Sequence, residues 1–242
     1  LKVESTDTVR LATTDASPSK VKSIAVIPGI DDGSPDIETT ITLIKQMEKL
    51  GFSKVITSPH VMSDVYKNSS EIILAGLTNI RDELKAQRIN MQIDAAAEYY
   101  IDYDFEQKIG EEKFLVFGSD YLLVELSFVE PPKNLFDIIF KLQLEGYKVV
   151  LAHPERYQYF QMKDYQDLFA RRVYFQINLL SLIGYYSLQI KDKVEALIKQ
   201  NMVSFVGTDC HNIHHAELYK KCYFKKSWHD LHNSGSLLNN TL

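Results

Sequence analysis

Five apolar, strand-like runs in this 242-residue chain end on side chains that can bind a cation or move a proton. KVITSPH stops at His60 and MQIDAAAE at Glu98. YLLVEL carries Glu125, KVVLAHPER carries His153 and Arg156, and MVSFVGTDCH closes on Asp209, Cys210 and His211. A lone His at a strand end is commonly a hydrogen-bonded structural residue, and Glu98, after three alanines, reads equally well as an exposed strand end. Glu125 is harder to dismiss, because a carboxylate inside an apolar run must be paired or bound to a cation. Asp209 and His211 are two apart, so an extended segment turns both to the same side. In a barrel of parallel strands the C-terminal strand ends converge on one face, the face that carries active sites. Imidazole nitrogens and carboxylate oxygens gathered there suit Zn, Mn or Fe better than a structural cage, which prefers thiolates. The spacing therefore predicts a metal-dependent hydrolase with His60, Glu98, Glu125, His153, Asp209 and His211 as ligands.

Arg156 would project near the same mouth, and a guanidinium can grip phosphate oxygens two at a time. In GIDDG, Asp31 and Asp32 could hold water or a metal-bound ligand, although turn formation explains them nearly as well. Other nucleophile chemistries fail on the sequence. Neither Cys210 nor Cys222 has the arginine six residues on that a cysteine phosphatase loop needs, and no G-x-S-x-G or Walker-type loop occurs. His214, His215, His229 and His232 sit in a polar C-terminal stretch and read as solvated or structural.

The bulk properties narrow the class further. A hydrophobic content of 45% supports a sizeable core, and a net charge of −5 gives no electrostatic case for nucleic acid or an anionic membrane surface. No apolar run is long enough for a membrane span. Two cysteines form no disulfide framework, which points to a reducing cytoplasm.

To bring those strand ends together the chain needs regular alternation, and it has it. Residues 1–20 read as a flexible leader, and 21–242 as one domain. SIAVIPG is the first expected strand, followed by a helix starting at Ser34–Pro35 and closed by Gly51. A second helix runs from Ser69 or Ser70 to about Gln87 with Ile73, Leu77, Ile80 and Leu84 as its apolar stripe. Shorter helical patterns follow around Asp104 to Gly110, Asn134 to Gly146, Met162 to Ala170 and Ile190 to Gln200, with VYFQINLLSL as a further strand. About seven strand-then-helix units result, which predicts an α/β barrel with a parallel sheet.

PGIDDG, TSPH, AAAEYY, YLLVELSF, GYKVVLAHPERY, FQINLLSLIGYYS and GTDCHN resemble the capsule-type bacterial tyrosine phosphatases of the polymerase-and-histidinol-phosphatase (PHP) superfamily, from about Val21 to the C-terminus. The resemblance implies a distorted (β/α)7 barrel holding divalent metal ions (Mn, Fe or Zn) on the six residues above. It also implies Arg156 in phosphate binding and catalysis, with Asp209 or His211 assisting proton transfer. The implied substrate is the phosphorylated tyrosine-rich tail of a kinase controlling capsule or exopolysaccharide export, and self-association is a further expectation. The chain departs from the family at one place. Where relatives carry His-x-His at the end of the first strand, it has Ser23, Ile24 and Ala25. Neutral Ser is a poor substitute for imidazole and Ala cannot ligate, so a catalytically degenerate binding protein is the alternative. A PHP phosphatase for a small phosphate ester is another.

Overall fold

The structure, a computed structural model, describes residues 20–242, with side chains from Ala25 onward. The expected leader lies outside the described residues, except for Lys20, which opens the first strand. Among the described residues nine strands form one sheet in which every pairing is parallel. They are β1 (Lys20–Ile24), β2 (Lys54–Thr57), β3 (His60–Val61), β4 (Gln92–Ala95), β5 (Glu98–Tyr100), β6 (Tyr121–Glu125), β7 (Lys148–Ala152), β8 (Tyr174–Asn178) and β9 (Val203–Cys210). The described residues form eight helices that cover it: α1 (Ile37–Lys49), α2 (Ser70–Ala86), α3 (Tyr103–Lys108), α4 (Leu135–Leu144), α5 (Met162–Ala170), α6 (Leu188–Lys199), α7 (Ile213–Tyr223) and α8 (Lys226–Asn233).

Nine strands and seven expected units agree once two interruptions are recognised. KVITSPH breaks at Ser58–Pro59, where proline has no N–H for the ladder. MQIDAAAE breaks at Ala96–Ala97. The two broken runs stay side by side across their gaps, through Ala96 N–H to Thr57 O at 2.8 Å and Glu98 N–H to Pro59 O at 2.9 Å. The hydrogen-bonded order β3-β5-β6-β7-β8-β9-β1-β2-β4 thus begins and ends in adjacent runs, and the sheet curls into a distorted barrel of seven.

Two expectations shift. The first strand covers Lys20–Ile24 rather than SIAVIPG, because the chain turns after Ala25: Ser34 N–H donates back to Ala25 O at 3.1 Å and Gly29 N–H to Ser34 O at 2.8 Å. The first helix starts later than Ser34–Pro35. Asp36 is its cap, accepting from Thr39 N–H at 2.8 Å, while the fully buried Ser34 donates to Asp36 O at 2.9 Å and lies 2.8 Å from Thr40 Oγ1. The stripe Ile73, Leu77, Ile80 and Leu84 is buried on α2 as its spacing requires.

Strand residues alternate between two apolar populations. Val55, Leu122, Val124, Val149, Leu151 and Val206 pack outward into the large cluster under the helices. Ile56, Ala96, Leu123, Val150, Ala152 and Phe205 form a separate inner cluster with Phe117. Tyr121, Tyr174, Leu238 and Leu242 pack against that inner cluster, so one end of the barrel is filled by rings and aliphatic side chains. The other end is left for polar groups. No helix among the described residues is long and apolar enough to cross a membrane.

Candidate metal centre

Period-two geometry carries the inner-facing set onward to the strand ends. Ile56 leads to Ser58 and His60, Ala96 to Glu98, Leu123 to Glu125, and Phe205 through Gly207 to Asp209. Gly207 leaves room for the neighbouring strand's Gln176, whose Nε2 would lie 2.8 Å from a Cβ there. His153 breaks the alternation by adopting φ 32°, a left-handed conformation that turns it inward directly after Ala152, and Asp209 has φ 51°. Left-handed non-glycine residues store strain and concentrate at functional sites.

The structure brings all six expected ligands and Arg156 to one mouth. Deep in it, His153 Nε2 lies 3.1 Å from Glu98 Oε1 and 3.3 Å from Glu125 Oε1, all three side chains being buried. His60 faces this set with Nδ1, 3.7 Å from Glu125 Oε2. On its outer side His60 Nε2 lies 3.7 Å from Asp32 Oδ1, and His211 Nε2 lies 3.4 Å from the same oxygen. Two donor groups result, His60–Glu98–Glu125 with His153 alongside, and Asp32–His60–His211, with His60 common to both. Asp209 stands apart from them. Its Oδ2 accepts from Asn178 Nδ2 at 2.6 Å, Arg156 Nη1 at 3.4 Å and the Tyr186 hydroxyl at 3.4 Å, and its carbonyl fixes His211 Nδ1 at 2.9 Å.

Arg156 follows on the short 3-10 turn Pro154–Arg156 after β7. Its guanidinium carbon lies 4.6 Å from the Phe128 ring centre and 4.8 Å from that of Tyr186. The turn is tied down by the fully buried Glu155, whose Oε1 accepts from Ser181 Oγ at 2.6 Å and Asn178 N–H at 2.9 Å.

The electrostatics follow from crowding carboxylates around imidazoles. Burial opposes charge on His153, but the hydrogen bonds and charges of Glu125 and Glu98 outweigh it and push the ring up to about 10. His211 also rises to about 10, against burial, through Asp32 and Asp209. His60 is raised against burial by Glu98, Glu125, Asp32 and Asp209. The hydrogen bond from His211 holds Asp32 down at about 2. Carboxylates that bind protons this firmly on neighbouring rings would bind a divalent cation in their place.

The residues present fit such a cation. His60 Nδ1, which faces Glu125, is buried without a hydrogen-bond partner, and the donors are the nitrogen and oxygen types that Mn, Fe and Zn accept. Ser23 belongs to β1, and its side chain lies outside the described part. Ala25 is buried against Gly33, so the loop GIDDG closes over that position.

Sequence reasoning undervalued Asp32, whose turn role was as good an explanation as ligation. It missed Asn178, Phe128 and Tyr186 altogether. Asn178 was legible as an inner-facing polar residue two after Gln176, but nothing marks a pair of rings as partners of an arginine. Of the histidines read as solvated or structural, His214 is exposed. His215 Nδ1 accepts from His211 N–H at 3.4 Å, and its Nε2 lies 3.1 Å from the Tyr185 hydroxyl.

A family model described as capsular polysaccharide synthesis, CpsB/CapC, matches residues 23–225. The tyrosine-protein phosphatase YwqE of Bacillus subtilis is 28% identical over 193 residues, covering 78% of this chain and 75% of that protein. The tyrosine-protein phosphatase CpsB of Streptococcus agalactiae is 21% identical over 196 residues, covering 78% and 81%. Crystal structures described as YwqE from Bacillus subtilis and CpsB from Streptococcus pneumoniae, metal-dependent tyrosine phosphatases, share the fold. The match has a TM-score of 0.76 and 24% identity, and covers 87% of this chain and 90% of the other. An amidohydrolase from Mycoplasma synoviae shares the barrel more loosely, with a TM-score of 0.55.

Proposed function

The chain belongs to the CpsB/CapC family of capsular polysaccharide synthesis, and from that premise we propose that it is a metal-dependent phosphatase acting on phosphotyrosine in proteins. The proposed substrate is the tyrosine-rich tail of a kinase controlling capsule or exopolysaccharide synthesis, in the cytoplasm, where Cys210 and Cys222 stay unpaired. Self-association is part of the proposal, and the exposed stripe Phe136, Phe140 and Leu144 on α4 offers a surface for it. One observation carries the reading: a guanidinium stands at the rim of a cluster of imidazoles and carboxylates at the open end of the barrel.

His153, Glu98, Glu125 and His60 would hold one cation, and Asp32, His60 and His211 a second, and with both bound His60 would have released its ring proton to ligate as imidazolate through Nδ1 and Nε2. When bound, divalent cations offset phosphate charge and acidify water. The protein's own groups supply the rest. Arg156 binds the equatorial phosphate oxygens and steadies the charge that builds on them in the transition state. Asn178 and Tyr186 hold Asp209 against Arg156, which fixes the plane of the guanidinium. Asp209 is the carboxylate placed to accept a proton from the attacking water beside Arg156, and the P–O bond to the tyrosine oxygen breaks. His211, anchored through Nδ1, is thereby oriented with Nε2 toward Asp32.

The test is turnover of a phosphotyrosine peptide by the purified, Mn-loaded protein. Activity no higher than that of a His153→Ala control overturns the proposal. Ser23 and Ala25 favour one second reading, a protein that binds phosphorylated partners without hydrolysing them. Under that reading, Ser23→His combined with Ala25→His creates activity where the wild type has none. A wild-type rate that is high and unchanged by the pair rejects it.

A further inference from the structure

A net charge of −5 is an average over the whole chain, and it conceals one basic stretch. Lys220, Lys221, Lys225 and Lys226 all fall within KKCYFKK, which holds no acidic side chain. The stretch joins the last turn of α7 to the start of α8. Its inward side chains fix it in place. Cys222 and Trp228 are fully buried, the Trp228 and Tyr223 ring centres lie 5.2 Å apart, and Lys225 N–H donates to Cys222 O at 3.0 Å. The outward side chains are therefore presented by a rigid corner. Phe224 comes three and four residues after Lys221 and Lys220, the helical spacing that sets side chains on one face, and it is 73% exposed. All four lysines are exposed. Lys226 pairs with Asp230 at 2.6 Å, whereas Lys220, Lys221 and Lys225 make no ion pair among the described residues.

Unpaired ammonium groups around an exposed ring suit one kind of surface. Anionic lipid headgroups attract each lysine, and the lysine stems and the Phe224 ring can enter the boundary between headgroups and acyl chains. An acidic protein surface would match the charges and leave the ring against polar groups. The corner also lies away from the mouth. Helix α7 starts beside the mouth, where His215 meets His211, and returns along β9, with the Tyr219 hydroxyl donating to Thr208 O at 3.2 Å. Eleven helical residues carry the chain roughly 16 Å from that start to Phe224. We propose that Lys220, Lys221, Phe224, Lys225 and Lys226 form a contact site for anionic lipid headgroups, which seats the barrel on a membrane surface with its mouth free. Four lysines and one ring give a reversible contact, not an anchor. The inference stands on this corner alone and is independent of the phosphatase reading.

Co-sedimentation of the full chain with vesicles tests it. In about 0.1 M salt the protein should bind phosphatidylcholine vesicles containing about 30% phosphatidylglycerol at least about tenfold more tightly than pure phosphatidylcholine vesicles, and about 0.5 M salt should remove the difference. Lys220→Gln combined with Lys221→Gln should weaken binding to the anionic vesicles about twentyfold, at about fivefold per lysine, and Phe224→Ser should weaken it about three- to tenfold. Lys85→Gln combined with Lys113→Gln, at two exposed positions elsewhere, should stay within about twofold of the wild type. Equal binding to both kinds of vesicle, no binding to the anionic ones, or an equal loss in the control pair overturns the site. Soluble polyglutamate that binds through Lys220 and Lys221 while anionic vesicles do not would give the corner to an acidic protein, and the lipid assignment falls.

Discussion

His60 is the residue common to both donor groups among the described residues, so His60→Ala separates their contributions. Its Nδ1 faces Glu125 and its Nε2 faces Asp32, each at 3.7 Å. Without it the outer group falls to Asp32 and His211, too few protein donors for a stable cation. The inner group retains Glu98, Glu125 and His153 with their short contacts of 3.1 and 3.3 Å. Elemental analysis after dialysis should therefore give about two ions per chain for the wild type and about one for the variant. A cation at a hundred times its dissociation constant stabilises the folded state by about 2.7 kcal/mol. For a chain of this size that is worth roughly 5–10 °C in melting temperature per site. Chelation should lower the wild-type melting temperature by about twice as much as that of His60→Ala. His214→Ala, on an exposed position of α7, serves as the control with wild-type metal content. A folded His60→Ala protein that keeps two ions, or one that loses both, refutes the partition into inner and outer groups.

Arg156→Lys keeps the charge but loses the planar fork and the fit between Phe128 and Tyr186. Its kcat/KM on a phosphotyrosine peptide should fall about a hundredfold, and a loss under threefold would remove Arg156 from the chemistry. Metal-free protein should lose stability on the alkaline side. His153 and His211 titrate near 10 when folded, against an ordinary value near 6.5, so their contribution is complete below about pH 6.5 and disappears as pH rises toward 10. Metal-loaded protein should behave oppositely over that range, because ligation needs ring nitrogens that have lost their protons; melting curves at pH 6.5 and 9.5 with and without chelator decide this. Gly33→Ala would set a Cβ 2.2 Å from that of Ala25 and 2.4 Å from its carbonyl oxygen. Backbone must move, so urea unfolding should show a loss of about 1–3 kcal/mol, and an unchanged midpoint would mean the GIDDG loop is loose.

The barrel was legible because its strands are buried on both faces and therefore read as continuous apolar runs, each ending in a polar residue. His60, Glu98, Glu125 and Asp209 were findable for the same reason, since even spacing along a strand preserves facing. The ends of elements were less so. Asp36 and Ser34 are both competent caps, and the choice between them is made by Thr40, whose hydroxyl donates to Val26 O at 2.7 Å, a contact across fourteen residues that local sequence patterns do not encode. Partners brought in by loops were hardest. Phe128 lies beyond the last alternating residue of β6, and Tyr186 follows a 3-10 turn, so neither has a period to argue from. Asp32 was ambiguous in sequence because ligation and turn formation ask for the same residue type.

The arrangement of the mouth is costly to the fold, and the costs fall on the residues assigned to chemistry. His153 and Asp209 occupy left-handed backbone, at about 1–3 kcal/mol each for non-glycine residues. Four acidic side chains and three imidazoles are held together at the end of a barrel whose opposite end is filled by apolar packing. His153 Nδ1 is buried without a hydrogen-bond partner, a further penalty of about 1–3 kcal/mol. A purely structural role would select against this combination, since apolar residues at Glu98, Glu125 and His153 would extend the inner cluster of Ile56, Leu123 and Val150 without strain or buried charge. What the costly set supplies, and an apolar plug could not, is a negative, preorganised socket with an arginine at its rim. The strain at His153 is the same turn that delivers Arg156 three residues later, so the metal donors and the phosphate donor are placed by a single backbone distortion. Relieving it would misplace both.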